Sequence, residues 1–195
     1  MSLELIIGPM YAGKSSTGLS LARTRMAIGW NVLVLKHNMD VRYLTMTENS
    51  VVISHDKIKM PAFACDKLMD TVGSDIYKKA RLIIVEEGQF FKDLVEFVLC
   101  AVERDGKDVV VIGLDGDVHR KPFANISELV ALADKVIRLQ ALCMKCGDGT
   151  PAIFTSALSV DIEQATIGGK PSVGGEESYV PFCRKHYLAN KMRLA

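Results

Sequence analysis

LELIIGPMYAGKSSTG, running from Leu3 to Gly18, decides the fold of this chain. The apolar run Leu3 to Ile7 reads as a buried strand, and Lys14 to Ile28 as a helix stopped by Gly29. Between them, Gly8-Pro9-Met10-Tyr11-Ala12-Gly13-Lys14-Ser15 matches G-x-x-x-x-G-K-[ST] at every fixed position. Glycines let backbone N–H groups turn inward around phosphate, and the helix behind adds its positive end. Lys14 supplies a charge for the β- and γ-phosphates, and Ser15 a hydroxyl for Mg²⁺. The motif predicts a bound nucleoside triphosphate but does not say what its phosphate is used for.

Working outward, Asn31 to Lys36 is a second strand, so the chain opens with a βαβ unit. Residues 38 to 60 are polar and irregular, with the texture of a loop carrying short strands. Lys67 to Ala80 is a helix candidate interrupted near Gly73. Arg81 to Val85 and Asp108 to Leu114 are continuous apolar strands, and Lys135 to Leu142 is a last one. Phe91 to Asp105 carries Leu94, Val95, Val98, Leu99 and Val102 at helical spacing. Fully apolar strands alternating with helices predict an α/β fold: a phosphate-loop parallel sheet covered on both faces.

A phosphate-loop enzyme needs a carboxylate at a neighbouring strand end to hold magnesium. Glu86 and Glu87 both follow RLIIV. On an extended strand they point to opposite faces. One then faces the phosphates and magnesium, and the other a substrate hydroxyl as general base.

Beyond Leu142 the sequence turns rich in Gly, Cys and turn residues, which divides the chain into residues 1–142 and a small lobe, 143–195. Cys143-x-x-Cys146 and Cys183-x-x-His186 have the spacing of a closed, structural zinc site. The other two cysteines, Cys65 and Cys100, have no such pattern and read as core residues. No run of basic residues offers a duplex-binding surface, and the net charge is +1, so nucleic acid is not the expected partner. No apolar stretch reaches the length of a membrane span, and no secretion signal is visible. The expected setting is cytoplasmic.

GPMYAGKSS, DVRY, SHD, EEGQFF, GLDGDVHRKPF, LADKVIRLQALCMKC and GGEESYVPFCRKHY occur in one order along nearly the whole chain. Together they resemble the type II thymidine kinases, the family of the human cytosolic enzyme. The resemblance implies transfer of phosphate from ATP to the 5′-hydroxyl of thymidine or deoxyuridine, with Mg²⁺, a structural Zn²⁺, a homotetramer and feedback inhibition by dTTP. It implies Glu87 as general base. It places Gly8 to Ser16, Asp40, Arg42, Glu86 and Gln89 with the nucleotide and its magnesium. Glu86 stands where the family usually has Asp, one methylene shorter. Met10, Phe90, Leu114, Val118, Phe123, Thr155 and Tyr179 fall at nucleoside-contacting positions, with Val118 where many members carry Phe. A covering loop, the lasso, is expected within residues 155 to 179. The competing readings are a kinase for another nucleoside and an ATP-driven motor or nucleotide switch, but the chain shows none of the further motifs a motor needs.

Overall fold

The computed structural model describes residues 1–38, 51–53, 59–158 and 178–194. In chain order it forms β1 (Ser2–Gly8), α1 (Lys14–Ala27), β2 (Val32–His37), β3 (Val51–Ile53), β4 (Lys59–Pro61) and β5 (Phe63–Cys65). Next come α2 (Asp75–Lys79), β6 (Leu82–Val85), α3 (Leu94–Leu99), β7 (Asp108–Leu114), α4 (Ala124–Val130) and β8 (Lys135–Arg138). The last elements are β9 (Ala141–Leu142), β10 (Pro151–Ala152), β11 (Phe154–Ala157), β12 (Tyr179–Phe182) and α5 (Arg184–Leu194).

Six strands make one sheet in the order β5-β2-β6-β7-β1-β8, every pair parallel. Parallel neighbours need crossovers, and the helices that supply them cover the sheet's faces. Strand alternation sorts the core. Leu3, Leu5, Leu33, Leu35, Ile83, Val85, Val109 and Val111 pack with α3 and α4 residues such as Leu94, Phe97 and Leu129. Ile6, Val34, Ile84, Val110 and Ile112 face the other way, onto Leu19 and Ala22 of α1. A Cβ added at Gly18 would lie 2.1 Å from Ile112 Cδ1, so this glycine lets α1 sit close to the sheet.

Three elements differ from the sequence expectation. Residues 135–142 are two strands: β8 closes the large sheet and β9 pairs with β10. As an edge strand bonded only to β1, β8 is largely exposed and not buried. The helix expected over residues 67–80 is a 3₁₀ turn at Met69–Thr71 followed by α2, parted at Gly73, whose φ of 86° no regular helix contains. The helix expected over Phe91 to Asp105 begins at Leu94 and ends in a π-helical turn, Cys100–Arg104. The periodicity of α4 and α5 escaped the sequence reading because each is short or weakly amphipathic.

Candidate active site

The phosphate loop is shaped by three backbone positions. Gly8 has φ 146°, Tyr11 φ 64° and Gly13 φ 75°. At Gly8 a Cβ would lie 2.4 Å from the carbonyl oxygen of Leu139, a backbone atom that cannot swing aside. Gly8→Ala is therefore expected to displace the loop from the strand end and remove nucleotide binding, with a melting temperature several degrees lower, of order 1–3 kcal/mol of strain. Calorimetric titration with ATP and a thermal melt check it.

Gly13 caps α1 without a side-chain hydrogen bond, and the helix's first turn contains no acidic residue. The positive end of the helix therefore faces no side-chain carboxylate of its own first turn and favours an anion. Lys14 is buried, its Nζ donating to the Pro9 carbonyl at 2.8 Å, so its ammonium is drawn back across the loop. Ser15 Oγ donates to Glu86 Oε2 at 3.1 Å. Glu86 is only 2% exposed, and its own N–H still pairs with Leu35 of β2 at 2.8 Å, so it continues β6 on the face of α1. The sequence-expected pair of Ser15 hydroxyl and strand-end carboxylate is thus assembled.

Glu87 departs from Glu86 for a different reason than strand alternation. The chain turns at Glu87, which adopts φ 50°, ψ 48°, a left-handed conformation unusual for a non-glycine residue. Its carboxylate Oε2 accepts from Gln89 Nε2 at 2.6 Å. Gln89 Oε1 in turn accepts the N–H of Leu114, at the end of β7, at 3.1 Å. Asn125, in the first turn of α4, donates through Nδ2 to Phe91 O at 2.9 Å and to Gly88 O at 3.2 Å. The turn from Glu87 to Phe91 is thereby fastened to α4, and Phe123 at the start of that helix packs against the core below it. Phe90 ends the turn half-buried, its ring 6.2 Å from that of His37.

The C-terminal lobe meets the phosphate loop from the other side. Met10 N donates to Thr155 Oγ1 at 3.0 Å, and Met10 packs against Val118, Ala157 and Tyr179. Tyr11 and Ala12 rest on a second small cluster containing Ala152, Phe182 and Tyr187. The "x" positions of the motif therefore carry the join between the sheet and the lobe. The LDGDVHRKPF segment is folded back on itself by Asp117, whose Oδ1 accepts from the N–H groups of His119 and Lys121, both at 2.8 Å. Tyr187 Oη then donates to Val118 O at 2.6 Å, tying the segment to α5.

Of the sequence-expected residues, Met10, Val118, Thr155 and Tyr179 converge, as do Ser15 with Glu86 and Glu87 with Gln89. Asp40, Arg42 and most of the expected covering loop lie outside the described residues. Two contributors went unread in the sequence, Asn125 and Gly113. Asn125 belongs to no motif, and an Asn at a helix start reads as a cap. Gly113 opens the GLDGDVHRKPF stretch, but its part in this turn shows in the sequence only as a glycine inside an apolar strand.

Cys143, Cys146, Cys183 and His186 form a second centre, their ligand atoms all within 4.8 Å of one another. His186 Nδ1 lies 3.4 Å from Cys143 Sγ, 3.3 Å from Cys146 Sγ and 3.5 Å from Cys183 Sγ, and the last two sulfurs are 3.8 Å apart. Tetrahedral zinc, with bonds of about 2.3 Å to sulfur and about 2.0 Å to nitrogen, requires S···S near ~3.8 Å and S···N near ~3.5 Å. The donor set fits. Burial pushes the Cys143 thiol up, but hydrogen bonds from the Cys183 backbone and the His186 side chain outweigh it and bring it down to about 6. Cys146 is pushed up to about 11, chiefly by burial and further by the neighbouring sulfurs.

A parallel sheet, a phosphate loop between its first strand and helix, and a strand-end carboxylate on the loop's serine define a phosphate-loop nucleotide-binding protein. A family model described as thymidine kinase matches residues 1–187, and the chain belongs to that family. It is 37% identical over 192 residues to Thymidine kinase a of Arabidopsis thaliana, covering 97% of this chain and 76% of that protein. It is 38% identical over 190 residues to the rice thymidine kinase, covering 95% and 66% respectively. Thymidine kinase of raccoon poxvirus is 36% identical over 187 residues, covering 95% of this chain and 96% of the viral protein. No helix among the described residues is long and apolar enough to cross a membrane.

Proposed function

We infer that the protein transfers the γ-phosphate of ATP to the 5′-hydroxyl of thymidine, and of deoxyuridine, forming the 5′-monophosphate. The observation that carries this is the juxtaposition of two unlike carboxylates: Glu86 against Ser15 of the phosphate loop, and Glu87, on a left-handed residue, against Gln89. One serves the metal and the other the acceptor. Lys14 and the backbone N–H groups of the loop around Gly13 to Ser16 would hold the triphosphate, and Ser15 and Glu86 would hold its Mg²⁺. When bound there, Mg²⁺ would supply positive charge against the charge developing on the transferring group. Glu87 accepts the proton of the 5′-hydroxyl as the oxygen attacks phosphorus in line with the departing ADP.

Met10, Val118, Thr155 and Tyr179, with Phe90, Leu114 and Phe123, would line the nucleoside site. Backbone groups of the covering loop read the pyrimidine edge. Cytosine presents a donor where thymine has an acceptor, so it leaves buried groups unpaired. The lobe of residues 143–195 acts as a unit stapled by Zn²⁺, which supplies folding energy and takes no part in the chemistry. A homotetrameric assembly, inhibition by dTTP and a cytoplasmic setting accompany this reading.

The test is ATP consumption with a panel of nucleosides. Thymidine and deoxyuridine should each support turnover, with deoxycytidine and purine nucleosides at least about a hundredfold poorer in kcat/KM. Equal rates on all of them, or none on thymidine, would exclude the assignment.

A further inference from the structure

The resemblance places Gln89 with the nucleotide, but its two side-chain hydrogen bonds run elsewhere. A backbone N–H can only donate, so the Leu114 N–H at 3.1 Å fixes which end of the amide is oxygen. The amide nitrogen is then forced towards Glu87 Oε2, at 2.6 Å. Gln89 itself is 7% exposed, so the amide sits inside the fold with these two groups as its partners. Its space is reserved: a Cβ on Gly113 would come within 2.8 Å of Gln89 Oε1. Asn125 holds the carbonyls on either side of the same turn.

We propose that Gln89 is a positioning residue for the reaction: its amide, oriented by the end of β7, binds one oxygen of the Glu87 carboxylate and so fixes the orientation of the group that takes the acceptor's proton. A carboxylate rotating freely about its last torsion presents a lone pair in the productive direction only part of the time. An amide N–H on one oxygen fixes that torsion. Leu114, at an expected nucleoside-contacting position, is the residue whose N–H orients the amide. The strand end that bounds the pocket therefore also sets the base.

This rests on Glu87 being the base, so the experiment is a double-mutant cycle between the two residues. Gln89→Met keeps the side chain's length and removes both hydrogen bonds. It should lower kcat about tenfold to a hundredfold while the KM values for ATP and thymidine stay within about twofold. In a Glu87→Gln background the same substitution should change the residual turnover by less than about twofold, because there is no base left to orient. Gln89→Glu, which still accepts from the Leu114 N–H, should lose kcat comparably by setting like charges against each other, and it serves if the methionine variant fails to fold. An equal loss in both backgrounds, unchanged kcat, or a raised KM for ATP at full kcat would overturn the proposal. Near-normal turnover in Glu87→Gln alone would instead overturn the assignment of the base.

Discussion

Glu87→Gln is expected to bind ATP and thymidine as the unchanged protein does and to transfer phosphate roughly 10²- to 10⁴-fold more slowly. The substitution keeps the shape of the side chain and can retain a contact with Gln89, so the turn of residues 88–90 has no reason to move. What disappears is the only proton acceptor that this turn presents. Circular dichroism and thermal melting should superimpose on those of the parent, while single-turnover kinetics separate binding from the chemical step. The contrast with Glu86→Gln is informative. That change removes charge from the buried carboxylate on Ser15 and should instead raise the Mg²⁺ concentration needed for half-maximal rate.

Cys183→Ser is expected to cost the protein both its metal and its lobe. The lobe's apolar cluster is small, with Ala152, Val180, Phe182 and Tyr187 its main buried members besides the cysteines, and Ala141 joining from just before it. Such a core does not outweigh the entropy of ordering its loops without a cross-link. About one zinc per chain should be found in the parent by elemental analysis, and well under half of that in the variant. The melting temperature should fall by roughly 10 °C or more, as expected for losing several kcal/mol in a chain of this size. Because Met10, Tyr11 and Ala12 rest on this lobe, nucleotide binding should weaken with it. Cys100→Ser, at a cysteine outside the cluster, should keep its zinc.

The parts legible in the sequence were those fixed by local chemistry. A strand, two glycines, a lysine and a serine in one run announce a phosphate loop because only that order of backbone freedom and charge does the work. Paired C-x-x-C and C-x-x-H announce a metal site for the same reason. The order of strands in the sheet was not legible, since periodicity says that a strand is buried and not beside whom. Lys135 to Leu142 read as one strand because its apolar residues run on, whereas the sheet's edge ends at Arg138 and the chain leaves to pair β9 with β10. Alternation predicts that Glu86 and Glu87 point to opposite faces; the structure takes Glu87 out of the strand in a left-handed turn, of which the sequence gives no hint. Asn125 and Gly113 act on the Glu87 turn through tertiary contacts alone.

The most direct measurement of the central claim is the fate of the γ-phosphate. Purified protein supplied with Mg²⁺, thymidine and ATP labelled in that phosphate should convert thymidine to a product carrying the label on its 5′-oxygen, one ADP appearing for each. Phosphorus NMR and mass spectrometry of the product identify the position. Release of the label as inorganic phosphate, at a rate indifferent to thymidine, would contradict the account.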